Sequence, residues 1–187
     1  NMDQGVTVSP TIAANIVVRQ VNLMRGVLGN SQKLTLGNAD ATPAVTQIGA
    51  TGVTGTAGAY DASPVFNPGS GGISVAYLQE GAPRSTGFEI PGSRQLRDLT
   101  VNRPGGTVAV AGGALTLPRG LTLTAGLLQT TATDLVTLGD TASVIPAGSP
   151  QSYVSAPPPI AVRTFDTTSV TRTFAVGLAG AFRPLVL

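Results

Sequence analysis

The chain has 187 residues, of which 42% are apolar, only 4% aromatic and 11% charged. Eleven basic and nine acidic residues leave a net charge of +2, and there is neither His nor Cys. That composition excludes a disulfide framework, a thiolate metal site and a Ser-His-Asp triad, and it argues against disorder, which goes with high net charge and few apolar residues.

Read from the start, Asn1–Pro10 shows no signal peptide, so the expectation is a mature secreted chain or a piece of a longer one. Gly5–Val18 is β-prone and nearly uncharged. Val17–Leu23 (VVRQVNL) and Lys33–Leu36 (KLTL) alternate apolar and polar residues with a period of two, the mark of a half-buried strand. Gly49–Gly58 (GATGVTGTAG) then places Gly at every third residue. Collagen has that period but needs many more triplets and much Pro, so an extended loop or tight bend is expected. Ser63–Gly72 is a break, Gly72–Tyr77 (GISVAY) a strand and Gly81–Gly87 another break. Four further alternating runs follow at Leu99–Val101, Thr107–Val110, Leu115–Leu117 and Leu121–Thr124, and Leu135–Leu138 completes the series. Ala156–Pro159 (APPP) fixes an extended connection, taken to mark where the regular part ends and the tail Ile160–Leu187 begins.

No stretch has a convincing helical period, and 24 Gly and 14 Pro punctuate the chain, so the fold class is all-β. A β-sandwich is the alternative, but its hairpins favour Asn-Gly and Asp-Gly turns, which are absent. A β-solenoid, of the right-handed parallel β-helix type with a short C-terminal β tail, suits the composition better. Its stacked rungs bury columns of small aliphatic side chains and need no thick aromatic core.

An internal repeat supports stacking. Val21–Leu28 (VNLMRGVL) matches Leu121–Leu128 (LTLTAGLL) in pattern, with Gly26 on Gly126. Lys33–Asn38 then matches Leu135–Asp140, with a two-residue insertion between the matched pieces. The chain divides into a first β-repeat with its Gly-rich connection (1–66), a second solenoid repeat (67–155) and a Pro-rich connection with a β tail (156–187). These form one continuous structural unit.

From Ile73 onward the order of motifs resembles a β-helical repeat module of large secreted, adhesin-like surface proteins of Bacteroidetes. The matching residues are Tyr77, Thr86-Gly87, Glu89, Pro91, Leu99–Asn102, Gly105-Gly106, Gly126 and Leu138-Gly139. Ser152–Pro157, Thr173–Gly177, Gly180 and Phe182–Leu185 follow in the same order. The likeness covers roughly residues 66 to 187, with Ala156 where the module usually has Gly and Ala175 where it usually has Pro. It implies a β-helical module of an extracellular fibre or adhesin, and it implies no catalytic residue.

Candidate chemistry is sparse. Paired carboxylates could serve a glycosidase. The pairs to consider are Glu80 with Glu89, Asp98 with either, and Asp134 with Asp140. Most sit beside turn signals, where Asp caps backbone N–H groups. A lyase would cast Asp98 with Arg97 or Arg103, but Ca²⁺ wants about six to eight oxygens and no segment clusters them. Tyr77, Phe88, Phe165, Phe174 and Phe182 are expected to cap the solenoid or pack the tail, and Arg183 to pair with Glu89 or Asp166. No catalytic, cofactor or metal residue is therefore assigned, and no cofactor is expected.

The expected function is structural: a subunit or segment of an extracellular, cell-surface fibre joined through β-strand edges. The self-association residues would be Val6, Val8, Ile12, Ile16 and Val17 at one end and Leu185, Val186 and Leu187 at the other. The partners would be copies of the chain or the rest of a longer surface protein. No nucleic acid and no membrane span are expected, since a basic, aromatic-interleaved stretch and a run of roughly 18 apolar residues are both missing. A glycan-binding adhesin module is the alternative, and a polysaccharide-degrading enzyme a less favoured one. A glycan binder should gather aromatic and polar side chains on one solenoid face, whereas a simple fibre subunit should not.

Overall fold

The computed structural model describes residues 10–24, 26–49, 60–78, 83–139, 142–145, 148–155, 162–164, 173–178 and 180–186. Among them the chain is all-β, apart from one 3-10 turn at Ser31–Lys33. It winds into a β-solenoid of about five turns, as composition and repeat led one to expect. The strands of the main sheet stack in chain order. Gln20–Leu23 pairs with Ala44–Ile48, then come Ile73–Leu78, Asp98–Ala109 and Gly120–Gln129, every pair parallel. A sandwich built of hairpins would be antiparallel. Here antiparallel strand pairs among the described residues are confined to the C-terminal strands, with one isolated antiparallel bridge at Ser149 and Ser152.

The period-two alternation explains the stacking. In Leu34–Leu36, Ile73–Leu78 and Leu115–Leu117 alternate side chains are buried. Parallel register sets each inward residue on the next: Leu23, Ile48, Tyr77, Val101 and Leu123 form one column. Val108, Leu128, Val154 and Val176 form another. Each fully buried aliphatic side chain contributes about 1.5–3 kcal/mol relative to exposure, so short strands suffice when every inward position is filled.

A second set of strands flanks the main sheet. Ile16–Val18, Leu34–Leu36 and Val65–Phe66 form one three-stranded parallel sheet; Leu115–Leu117, Val136–Leu138 and Val162–Thr164 form another. Gln95 joins the latter by a single bridge to Thr116. Val65–Phe66 pairs with Leu34–Leu36 alone, so the ladder is interrupted between Phe66 and Gln95.

The duplicated phrase falls where the repeat placed it. Leu34–Leu36 and Val136–Leu138 are both inner-outer-inner strands of the flanking sheets. Gly26 and Gly126 both have positive φ, 74° and 83°. The second matched glycine differs: Gly37 has φ +94° and packs under Asn67, whereas Gly139 packs against Pro118 without a positive φ. Two runs read separately are joined. Leu99–Val101 and Thr107–Val110 belong to one strand, Asp98–Ala109, because Pro104 is exposed and left-handed Gly105 absorbs the bend. The ladder between this strand and Gly120–Gln129 shifts register on either side of Ala125.

Nor does the coil end at the Pro run. Val162–Thr164 still stacks on Val136–Leu138, and Val176–Leu178 on Val154–Ser155. The Pro run itself lies outside the described residues. Beyond that, the chain reverses. Ala181–Phe182 pairs antiparallel with Val176–Leu178, and Leu185–Val186 with Thr173–Phe174. Phe174, Ala175 and Val176 lie over Leu121, Val136 and Leu138, leaving a void of only ≈ 10 Å³. The Gly49–Gly58 run lies outside the described residues after Gly49.

Two glycines separate the cost of backbone conformation from the cost of crowding. A Cβ on Gly126 would lie 2.3 Å from the Arg103 carbonyl oxygen, while one on Gly105 (φ +68°) would meet nothing within 4 Å. Gly105→Ala should cost about 1–2 kcal/mol, the left-handed penalty alone. Gly126→Ala should cost clearly more, read as a larger fall in the midpoint of chemical denaturation. Equal losses would show that the close approach at Gly126 is unimportant.

Candidate functional site

Among the described residues, two of the places that collect polar side chains derive from the segment Arg84–Arg97. The first is a buried corner. Tyr77 occupies an aliphatic column and is fully buried, so its hydroxyl must find a partner inside. It donates to the Glu89 carboxylate, which also accepts the Gly87 N–H at 2.8 Å. The Arg84 guanidinium lies 5.3 Å from the centroid of the Tyr77 ring and donates to the Gly49 carbonyl. Thr86 closes the turn through its hydroxyl, which donates to the Ala111 carbonyl and accepts the Ala111 N–H. Arg94, held at φ +56°, donates to the carbonyls of Ala111 and Gly113.

Electrostatics here follow burial. Desolvation raises the Tyr77 phenol well above its ordinary value, and the neighbouring Glu89 charge raises it further. Desolvation also raises Tyr60, whose hydroxyl pairs with Thr46 at 3.1 Å. Burial lowers Arg94 and Arg103 from the usual guanidinium range. Glu89 is 0% exposed, so no substrate reaches its carboxylate in this conformation. Tyr77, Thr86, Gly87 and Glu89 thus fasten one turn of the coil to the next.

The second place is open to solvent. Where the flanking ladder is interrupted, the corner Pro68–Gly72, the turn Pro91–Ser93 and the corner Pro118–Arg119 surround a groove of ≈ 620 Å³, within the size range of ligand clefts. Half-buried Phe66 supplies an aromatic surface; Ser70, Ser93 and Gln95 supply neutral hydrogen-bonding groups. Arg97 and Arg119 supply charge, and no carboxylate lines the groove. Arg97 is held in place by Asp98 (3.1 Å) and by the Gly71 carbonyl (3.0 Å). Arg119 is exposed and makes no ion pair among the described residues. The Arg119 N–H donates to the Arg97 carbonyl, so the two arginines sit at one corner on successive rungs.

The residues singled out from sequence are dispersed. Asp134 accepts from the Gly113 N–H at 2.7 Å and the Thr131 hydroxyl at 2.9 Å, a capping role that lowers its pKa. Asp98 pairs with its neighbour Arg97. Glu80 and Asp140 lie outside the described residues, and no cluster of three potential metal ligands occurs among those described. Arg103 is buried and donates toward the Leu78 carbonyl, away from Asp98's pairing with Arg97. Arg183 is exposed and its N–H donates to the Val176 carbonyl; Glu89 is enclosed elsewhere, and Asp166 is not among the described residues.

Phe174 and Phe182 pack the tail, the latter 5.9 Å from Tyr153. Tyr77 instead sits mid-column, Phe88 is exposed, and Phe165 lies outside the described residues. Of the expected contact residues, Ile16, Val17 and Leu185 are exposed and Ile12 is buried in the core. Val186 lies in a tail strand already paired, while Val6, Val8 and Leu187 fall outside the described residues. Sequence reasoning missed Phe66, Gln95 and Arg119. Their only local signals, Pro and Gly, read as chain breaks.

The buried phenols predict an alkaline limit to stability. A phenol whose pKa is raised on folding contributes stability that is complete below the unfolded value of about 10 and lost as pH rises through the folded value. Between those values the unfolded chain gives up a proton that the folded chain keeps. Unfolding free energy should therefore fall above pH 10 by about 1.4 kcal/mol per pH unit for each of Tyr60 and Tyr77. Tyr77→Phe should remove its share of that slope in denaturation curves followed from pH 9 to 11. The same variant should lose about 1–3 kcal/mol at neutral pH, because Glu89 stays buried with one partner fewer.

Comparison with protein-family models, with curated proteins and with solved structures finds no match to this chain.

Proposed function

We propose that this chain is a structural β-solenoid segment of an extracellular fibre or large surface protein, extended by pairing at the edge of its first rung. One observation carries the reading. Ile16 stands over Leu34 in an inward register, yet it is 43% exposed, while Leu34 is 1% exposed. An inward residue left open in this way marks a stack that can accept another rung. Among the described residues Ile16–Val18 is also an edge strand of its sheet, with one row of backbone groups unpaired in that sheet. Val17, beside it, is 61% exposed. The occupant is a second copy of the chain or the adjoining part of a longer one.

The two ends differ, since the C-terminal end carries antiparallel strands. Joining unlike ends is a heterologous contact, and a heterologous contact that does not close grows into a filament. Low charge and absence of thiols suit an extracellular polymer. The reading assigns the chain no catalytic step. A second reading, a glycan-binding surface module, is supported by the groove, which brings Phe66, Ser93, Gln95 and Arg119 to one flank. The two are compatible, because edge pairing uses an end of the coil and the groove lies on its side.

Electron microscopy and sedimentation of the full chain test the assembly. Regular filaments are expected for the natural sequence. The double change Ile16→Lys, Val17→Lys should raise the concentration needed for assembly at least tenfold, since charge on an edge strand opposes pairing. The circular-dichroism spectrum should stay unchanged. Monodisperse particles of the natural chain at every concentration would refute edge-to-edge growth.

A further inference from the structure

The groove's charge identifies its ligand class more narrowly than its shape does. We infer that it binds an acidic polysaccharide carrying one carboxylate per sugar, held by Arg97 and Arg119 with Phe66 as an apolar surface. This rests on the glycan-binding reading and goes beyond it, since that reading names no charge on the sugar.

Charge complementarity is the first argument. Two guanidinium groups line the groove and no carboxylate does. A site for neutral sugar needs acceptors as well as donors, and a carboxylate is the strongest acceptor a side chain offers. Guanidinium groups offer donors only, in a planar fork that matches a carboxylate. Pre-organisation is the second argument. Arg97 is fixed by Asp98 through Nε and by the Gly71 carbonyl through Nη1, which leaves Nη2 without a described partner. Its conformational entropy is already spent before a ligand arrives.

Spacing is the third. The Arg119 N–H bonds the Arg97 carbonyl at 3.1 Å, so the two arginines are neighbours on successive rungs, which lie about 4.8 Å apart. Asp98 already pairs with Arg97, so Arg119 brings the unpaired positive charge and the Nη2 of Arg97 a second donor beside it, a set that suits a chain with well-separated single negative charges. A densely sulfated chain would leave most of its charge unmatched. Phe66 and the prolines 68, 91 and 118 add apolar surface against which a sugar ring can lie. Ser70, Ser93 and Gln95 reach its hydroxyls with neutral partners.

The test is calorimetric titration of the full chain with oligogalacturonate. Its fully methyl-esterified form, a heparin oligosaccharide and poly-glutamate serve as comparison ligands. Binding of oligogalacturonate is expected, with at least tenfold weaker binding of the ester and of both other polyanions. Arg119→Glu should weaken binding at least tenfold. Arg183→Glu, an exposed charge change far along the chain, should leave it within twofold and controls for net charge. Phe66→Ala should weaken binding by a similar factor without altering its salt dependence.

Equal binding of the acid and its ester would overturn the charge argument while leaving a glycan groove in place. Preference for heparin or for poly-glutamate would replace the ligand class with a sulfated chain or an acidic peptide. No binding of any saccharide would remove the glycan-binding reading together with the inference. Full binding by Arg119→Glu would place the site elsewhere on the molecule.

Discussion

In a parallel coil each rung hydrogen-bonds to the rung before it and the rung after it, so a strand that slipped by one residue would turn its whole inward set to water. Register is therefore the constraint on which this structure depends. It sets Leu23, Ile48, Tyr77, Val101 and Leu123 in one line and gives each a defined neighbour above and below. Most positions in such a line accept Val, Leu or Ile, which is why so few aromatic residues suffice. The glycines serve the same constraint. At Gly126 the backbones of adjacent rungs come too close for a Cβ, and the ladder keeps its pairing on both sides of the bend.

A polar residue placed in a column must satisfy its hydrogen bonds without leaving the column. Thr46 stands between Val21 and Val75 and finds the Tyr60 hydroxyl. Tyr77 finds Glu89, and Glu89 in turn dictates the course of the turn after Arg84–Ser85. Burying a carboxylate is costly unless it is paired and hydrogen-bonded. The segment from Thr86 to Arg94 forms turns in place of a strand and meets that requirement only in part, since Glu89 Oε1 takes both hydrogen bonds and Oε2 has no partner among the described residues. The missing strand is what interrupts the flanking ladder. The groove beside Phe66 opens where that strand is missing.

The ends of the coil differ for a related reason. At the C-terminal end the chain reverses, and Phe174 and Val176 lie over the last inward residues. At the first rung, Ile16 keeps its inward register while much of its surface remains open. Among the described residues the two ends of the coil therefore differ in pairing and exposure. In the proposed reading, assembly from one end and ligand contact along one flank do not compete.

Much of this was legible in the residues. Alternation in Lys33–Leu36, Gly72–Tyr77 and Leu115–Leu117 identified strands, since period two has a single structural meaning. The match of Val21–Leu28 to Leu121–Leu128 pointed to stacked rungs, because equivalent bends recur only when the path recurs. Pro and Gly misled where they sit inside a strand: Pro104 and Gly105 read as a break but make a bend, since a parallel ladder tolerates a local shift of register. The run Ala156–Pro159 read as an end, yet strands beyond it continue the coil. By itself, then, the sequence determined an all-β coil of aliphatic columns with few charges. Only the tertiary structure decided that Phe66, Gln95, Arg97 and Arg119 share a groove and that Glu89 is sealed inside. Those residues meet through stacking of successive turns, a relation that depends on the length of every turn and that no local pattern records.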